Sequence, residues 1–263
     1  MINRIHVTPC SQGATIFDDA TEERLKNPKC IDRYGFKVYS QSDEDGIIQE
    51  IFHRIGITNK KFVEFGVQDG LESNCHYLLF CGWKGMWIEG NADYFKQIQD
   101  KFRSVIETGQ LCAVHSFVTK ENINSILHDY GYSGDIDLLS IDIDGNDYWV
   151  WKEIFKVSPR VVVIEYNAKF PPPCDWKMKY NPEYCWDGSD CHGASLKALE
   201  LLGREKGYQL VGTNVRGGVN AFFVKEELTK NLFLEDATAE NLYNPPRFHI
   251  QYTMGHPTKY CLL

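Results

Sequence analysis

The chain has no excess of positive charge. Its 263 residues carry 28 Lys and Arg against 36 Asp and Glu, a formal net charge of −8. Binding a nucleic-acid backbone needs a basic stripe, so the acidic balance argues against nucleic acid as the main partner. Long apolar runs are missing as well. No stretch approaches the roughly 20 apolar residues that span a bilayer, and Met1-Ile2-Asn3-Arg4 opens no signal-peptide core. A cytoplasmic protein without a membrane span is the expectation. The nine cysteines include no C-x-x-C pair. An odd, scattered set is neither a disulfide framework nor a zinc ribbon, and reduced, partly buried thiols are expected. Cys174, Cys185, Cys191 and His192 do share one loop, at a spacing that matches no common structural zinc site. There is no internal repeat and no low-complexity segment. No G-x-G-x-x-G turn is present, which weighs against a nicotinamide oxidoreductase. Ser195 lacks a G-x-S-x-G setting, which weighs against a hydrolase.

What is present is a series of short apolar runs ending in polar turns. Phe62-Val63-Glu64-Phe65-Gly66-Val67-Gln68-Asp69-Gly70 is one, and Gly85-Met86-Trp87-Ile88-Glu89 is the next. Together they read as strand, Gly-rich turn, helix, strand and carboxylate, the front half of a nucleoside-binding α/β unit. Gly66 allows close approach of backbone to a ligand, and Gly70 lets the following helix pack tightly on the strand. Glu64 is a candidate partner for a ligand ammonium, directly or through water. Glu89, at a strand end, is a candidate acceptor for both hydroxyls of a ribose, with charge-assisted bonds of about 1.5–3 kcal/mol each. A merely structural turn accounts for the glycines, but not for a strand-end carboxylate without a partner.

The remaining pattern predicts a doubly wound α/β fold. Ile47, Ile48, Ile51, Phe52 and Ile55 have helical spacing, with acids ahead of them. Strands are expected over 61–66, 85–89, 111–118, 137–144, 160–165, 208–213 and 220–224. Helices are expected over 73–81, 93–103, 123–130, 148–155 and 194–206, the last stopped by Gly207. Continuous apolar runs such as Val161-Val162-Val163-Ile164 suit a parallel sheet covered on both faces. The expected fold class is a Rossmann-like sheet of seven strands, mostly parallel with an antiparallel last strand, with helices on both faces. One domain is expected over 1–263, with a polar, irregular N-terminal arm (1–36), a loop insert (166–193) and a C-terminal tail (226–263).

Four ordered motifs narrow this further. Tyr39-Ser40-Gln41-x-x-Glu44-Asp45, Phe62-Val63-Glu64-Phe65-Gly66-x-x-Asp69-Gly70, Gly82-Trp83-Lys84-Gly85 and Ile141-Asp142-Ile143-Asp144-Gly145-Asn146-Asp147 resemble FkbM-type methyltransferases over residues 37–225. The Glu64, Gly66, Gly70 spacing is similar to motif I of class I S-adenosylmethionine-dependent methyltransferases, and a late antiparallel hairpin is the ending typical of that class. The resemblance implies an S-adenosylmethionine cofactor and O-methylation of a small-molecule acceptor, a sugar, sugar-phosphate, nucleotide-sugar or related precursor. It implies cofactor contacts at Glu64, Gly66, Asp69, Gly70 and Glu89, and further ones at Tyr39, Gln41, Ser73, Asn74, Ser116 and Asp142. Ser116 follows the third strand, where the adenine ring is expected. Members of the family more often carry Glu where Asp144 stands.

The later strands end in acids: Asp142 and Asp144 on one, Glu165 on the next with Asn167 beyond it. Such ends face one crevice in a doubly wound sheet. Methyl transfer to a hydroxyl needs in-line alignment, which supplies about 7–11 kcal/mol, and a means of handling the proton. Two mechanisms fit. Asp142, Asp144 and Glu165 hold Mg²⁺, whose preference is for hard oxygen ligands, as in the similar macrocin-type and catechol O-methyltransferases. Otherwise Asp144 or a nearby histidine, His192 or His115, is the base. Asp147 is read as a structural residue that caps a helix or binds backbone amides. The loop 166–193 carries Phe170, Trp176, Tyr180, Tyr184 and Trp186, flat faces for an acceptor ring, and Lys177 and Lys179 as phosphate contacts. One or two of the aromatics are expected to anchor the loop and the rest to face the crevice. A rival of another class is a non-catalytic module that keeps the cofactor fold and transfers nothing.

Overall fold

The period of two along the central strands builds the molecule. In the computed structural model, which describes residues 6–10, 13–17 and 19–246, nine strands form two sheets. A small antiparallel hairpin pairs β1 (His6–Cys10) with β2 (Gly13–Phe17). The main sheet contains β3 (Lys61–Phe65), β4 (Lys84–Glu89), β5 (Leu111–His115), β6 (Gly134–Ile141), β7 (Val157–Glu165), β8 (Tyr208–Thr213) and β9 (Asn220–Lys225). Its order is β5-β4-β3-β6-β7-β9-β8, or 3-2-1-4-5-7-6 counted within that sheet. β5 through β7 run parallel, and β9 enters antiparallel to both β7 and β8. This is the Rossmann-like architecture expected from the sequence, and the last strand, β9, is the antiparallel one, inserted between β7 and β8.

Successive side chains face opposite layers. Val63, Phe65, Met86, Ile88, Leu139, Val162 and Phe223 belong to one core cluster. Their neighbours Phe62, Trp87, Leu138, Val161, Val163 and Phe222 belong to the other. Both faces are therefore apolar, and helices must cover both. The helices are α1 (Asp19–Lys26), α2 (Glu44–Ile55), α3 (His76–Phe80), α4 (Ala92–Lys101), α5 (Arg103–Glu107), α6 (Ile123–Asp129), α7 (Asp147–Glu153), α8 (Leu196–Glu205) and α9 (Ala239–Leu242). No helix among the described residues is long and apolar enough to cross a membrane.

Three departures from the expected pattern bear on the site. The helix expected over 73–81 shortens to α3, because residues 73–75 turn inward to the Glu64 carboxylate. Ser73 Oγ (2.6 Å), Asn74 N (2.8 Å) and Cys75 N (3.2 Å) all donate to it. The helix expected over 93–103 breaks at Phe102, whose ring packs edge-on against Trp87 at 4.8 Å and His76 at 4.9 Å. The strand expected over 137–144 ends at Ile141, so Asp142 and Asp144 stand on the loop beyond it.

The stretch before Phe36 is not uniformly irregular. It carries α1 and a 3₁₀ turn at Ile31–Tyr34, and Cys30 and Ile31 are fully buried. Ile31 and Asp32 pack against Gly212 of β8, where an added Cβ would lie 2.6 Å from Ile31 Cγ1. At the other end, Tyr166 Oη donates to Asn244 O (2.9 Å) and Thr213 Oγ1 to Leu242 O (2.6 Å), tying residues 242–244 to the sheet. Residues 1–5 of the expected arm and 247–263 of the expected tail lie outside the described residues.

Candidate functional site

The carboxyl ends of β3, β4, β5 and β6 open onto a crevice of about 630 Å³. Gly66 and Gln68 line it from the turn after β3, Glu89, Gly90 and Asn91 from the end of β4, and Ser116, Phe117 and Val118 from the end of β5. Asp142, Asp144 and Asn146 form its floor, and Tyr184, Cys185 and Trp186 come over it from the long loop. A recess of about 70 Å³ shares Gly66, Gln68 and Asp142 and adds Gln41, Glu64, Ser73, Asn74 and Asn220.

Glu89 is held at the mouth of the turn. Its Oε2 accepts from Gln68 N (2.8 Å) and its Oε1 from Asn91 N (2.7 Å), while Asn91 Oδ1 caps α4 by accepting from Asp93 N and Tyr94 N. Each Glu89 oxygen keeps a second lone pair for the crevice. Burial raises the Glu89 carboxyl above its ordinary range, against the pull of the Asn91 and Gln68 amides. Glu64 is engaged differently. Besides residues 73–75 it accepts from Trp87 Nε1 (2.9 Å) and Ser140 Oγ (3.3 Å), so this carboxylate is saturated by the protein's own donors. It borders the recess and organises that wall.

The other residues expected at the cofactor divide into two groups. Gln41, Ser73, Asn74, Ser116, Gly66 and Asp142 line the crevice or its recess. Gln41 is carried there by the segment that Asp45 pins: Asp45 Oδ2 accepts from Val38 N (2.6 Å), Tyr39 N (2.8 Å) and Ser40 N (2.9 Å). Tyr39, Asp69 and Gly70 line neither. Tyr39 stacks on His76 at 4.0 Å between ring centroids. Asp69 pairs with Lys101 at 2.7 Å. Gly70 faces inward, where a Cβ would meet Trp87 Cζ3 at 2.7 Å. Two aromatic lining residues escaped the sequence reading, Tyr94 and Phe117, both exposed. Their signal was available: Phe117 follows Ser116 after the third strand, and Tyr94 stands in the first turn after Glu89.

The two acids of the floor converge with a third, Glu165 at the end of β7. One carboxylate oxygen from each of Asp142, Asp144 and Glu165 lies within 4.8 Å of the other two. Among the described residues no other group of three or more metal-ligating side chains comes together. Glu165 Oε2 is buried without a hydrogen-bond partner. Burial, then repulsion from Asp144 and Asp147, pushes the Asp142 carboxyl well above its ordinary range. Burial, then repulsion from Asp142, does the same for Glu165. Three crowded carboxylates with one orphaned oxygen form a hard-oxygen set that a divalent cation of the Mg²⁺ type would satisfy. The residues fit such an ion.

His192 flanks this group. Its Nδ1 is buried and unpartnered, burial holds the imidazole below its ordinary range, and Asp144 opposes that shift. His115 does not reach the floor: it is exposed, stacked on Phe95 at 5.2 Å and bonded to Gly90 O at 3.2 Å. Cys174, Cys185 and Cys191 are exposed and form no metal cluster with His192. Ser195 caps α8 by accepting from Ala198 N (3.2 Å) and donates to Cys174 O (2.6 Å), which is a structural role.

No protein-family profile and no curated protein sequence matches this chain. Solved structures do. A candidate caffeoyl-CoA O-methyltransferase from Staphylococcus aureus is 14% identical, with 69% of this chain and 82% of that one covered and a TM-score of 0.47. A Podospora anserina methyltransferase with S-adenosylhomocysteine bound is 14% identical, with 84% and 90% covered and a TM-score of 0.45. The N-terminal domain of EvdMO1 with S-adenosylhomocysteine bound is 13% identical, with 78% and 93% covered and a TM-score of 0.44.

The long loop splits as its aromatics divide. Phe170 and Trp176 stack on each other at 4.1 Å and do not line the crevice. Tyr184 and Trp186 do line it, with Trp186 53% exposed. The lysines expected to meet a phosphate are elsewhere: Lys177 pairs with Asp175 at 3.0 Å, and neither it nor Lys179 lines the crevice. No Lys or Arg is among the residues that line it.

Proposed function

We propose that this protein is an S-adenosylmethionine-dependent methyltransferase acting on a hydroxyl of a small-molecule acceptor, of the sugar class. The observation that carries the reading is one crevice lined by the strand-end carboxylate Glu89 beside the Gly66 turn and by Asp142 and Asp144, whose carboxylates converge with that of Glu165. The four motifs that resemble FkbM-type enzymes supply the same cofactor and reaction.

In this reading Glu89 takes the ribose hydroxyls on its free lone pairs, and Phe117 and Tyr94 flank the adenine beyond Ser116. Gln41 and Asn74, in the recess beside Gly66, are neutral polar groups for the amino-acid end of the cofactor. Asp142 lines both cavities, so it stands between the cofactor's end and the acceptor. Tyr184 and Trp186 give the acceptor ring its flat wall. Asp142, Asp144 and Glu165 are the residues that would hold Mg²⁺, which when bound lowers the pKa of a coordinated hydroxyl. His192, kept neutral by burial, is the side chain beside Asp144 able to receive the proton. Alignment of the acceptor oxygen against the methyl carbon is then the protein's main contribution.

The test is titration calorimetry of S-adenosylhomocysteine, first with EDTA and then with added Mg²⁺. Binding in the micromolar range is expected, and Glu89→Ala should weaken it by at least about tenfold, the loss of one charge-assisted bond. Absence of binding under both conditions would sink the methyltransferase reading.

A further inference from the structure

Asp147 is fully buried at the start of α7, yet both of its oxygens point back along the chain. Oδ1 accepts from Ile143 N at 2.9 Å and Oδ2 from Gly145 N at 2.8 Å. These two amides flank Asp144, so one carboxylate clamps the backbone on either side of a floor acid. Asp144 is held at φ +52°, a left-handed conformation that costs a non-glycine residue about 1–2 kcal/mol. The same turn carries the acceptor wall. Gly193 N donates to Gly145 O (3.1 Å), Asn146 Nδ2 donates to Asn181 O (2.7 Å), and the Tyr184 ring covers Gly145 so closely that a Cβ would lie 2.5 Å from Cδ1.

We propose that Asp147 is a positioning residue: it holds Asp144 in the strained conformation that brings its carboxylate to those of Asp142 and Glu165. The inference rests on the reading of these three acids as a divalent-cation site. Asp147 itself is not one of the converging ligands. It acts through the two amides, as outer-shell partners of metal ligands do. A carboxamide in its place has one acceptor oxygen, and its NH₂ faces an N–H, so one clamp bond is lost.

The experiment measures Mn²⁺ binding by electron paramagnetic resonance, and S-adenosylhomocysteine binding by calorimetry, for the wild type, Asp147→Asn, Asp144→Asn and the double variant. Asp147→Asn is expected to lower Mn²⁺ affinity about 10–100-fold with cofactor binding unchanged. In the Asp144→Asn background it should lower affinity no further, because the ligand it orients is already gone. Equal Mn²⁺ affinity in the wild type and Asp147→Asn would overturn the proposal alone. A wild type that binds the cofactor but no Mn²⁺ would overturn both the cation site and the proposal. Additive losses in the double variant, or a parallel loss of cofactor binding, would make Asp147 a general structural residue. If Asp147→Asn fails to fold, Asp147→Glu, which keeps both acceptors but shifts them, takes its place. Failure of both to fold would also count against the proposal.

Discussion

At Gly66 an added Cβ would lie 1.4 Å from the Asp142 carbonyl oxygen, at a φ of +80°. Two strand ends therefore meet backbone to backbone, and this contact joins the Gly66 turn to the acidic floor. Gly131 has a similar φ of +77° but open space around its Cβ position. The pair separates two effects. Gly131→Ala should cost only the left-handed backbone penalty, about 1–2 kcal/mol. Gly66→Ala should cost more than about 4 kcal/mol or prevent folding, because no side-chain movement relieves a clash with backbone. Urea unfolding of the two variants measures both. The sequence singled out Gly66 for closeness to a ligand. The structure adds a neighbouring strand that demands the same absence of a Cβ.

Among the elements, β3 and the segment after it depend on Glu64. This one carboxylate gathers donors from residues 73–75, from Trp87 of β4 and from Ser140 of β6. Burial raises its pKa while Ser73 and the Asn74 amide, the next largest influences, lower it. Glu64→Gln replaces an acceptor oxygen with an NH₂ facing donors and should cost about 2–3 kcal/mol. Amide exchange should quicken selectively at residues 73–75, where α3 was shortened to reach this group. Unchanged exchange there would mean the segment is held by its packing alone.

For the whole molecule the buried acids near α2 set a pH dependence. Asp43 is pushed up to about 7 by burial and then by Glu44, with Arg216 opposing and Asp32 adding. Asp32 is pushed up to about 6 by burial, with Arg24 opposing. In the unfolded chain both titrate near about 3.9. Between that value and the raised ones the folded state binds more protons, so ΔG of unfolding falls as pH rises. The stability these groups contribute is full below the unfolded pKa and is lost as pH passes about 6 and then about 7. Denaturant titrations should show a loss over this window of at most about 1.4 kcal/mol per pH unit for each proton. Asp43→Asn should flatten the upper part of the slope. A stability that rises from pH about 5 to about 8 would contradict it.

By itself the sequence determined whatever depends on local period and local chemistry. The apolar runs of β3, β4, β6, β7 and β9 were legible because a strand covered on both faces tolerates little that is polar. Glu89, Asp142, Asp144 and Glu165 stood out as candidates because a carboxylate at the end of an apolar strand contrasts with its neighbours. Only the tertiary structure decided which of these face one another. Asp69 and Glu89 are both acids near a strand end, yet one turns to Lys101 and the other to the crevice. Trp176 and Trp186 belong to one loop, yet one stacks on Phe170 and the other borders the site. The clamp of Asp147 around Asp144 is of the same kind, since it depends on where a buried side chain is aimed. Side-chain direction in turns is set by long-range packing and by which donors are left unpaired there, and no periodicity in the sequence records it.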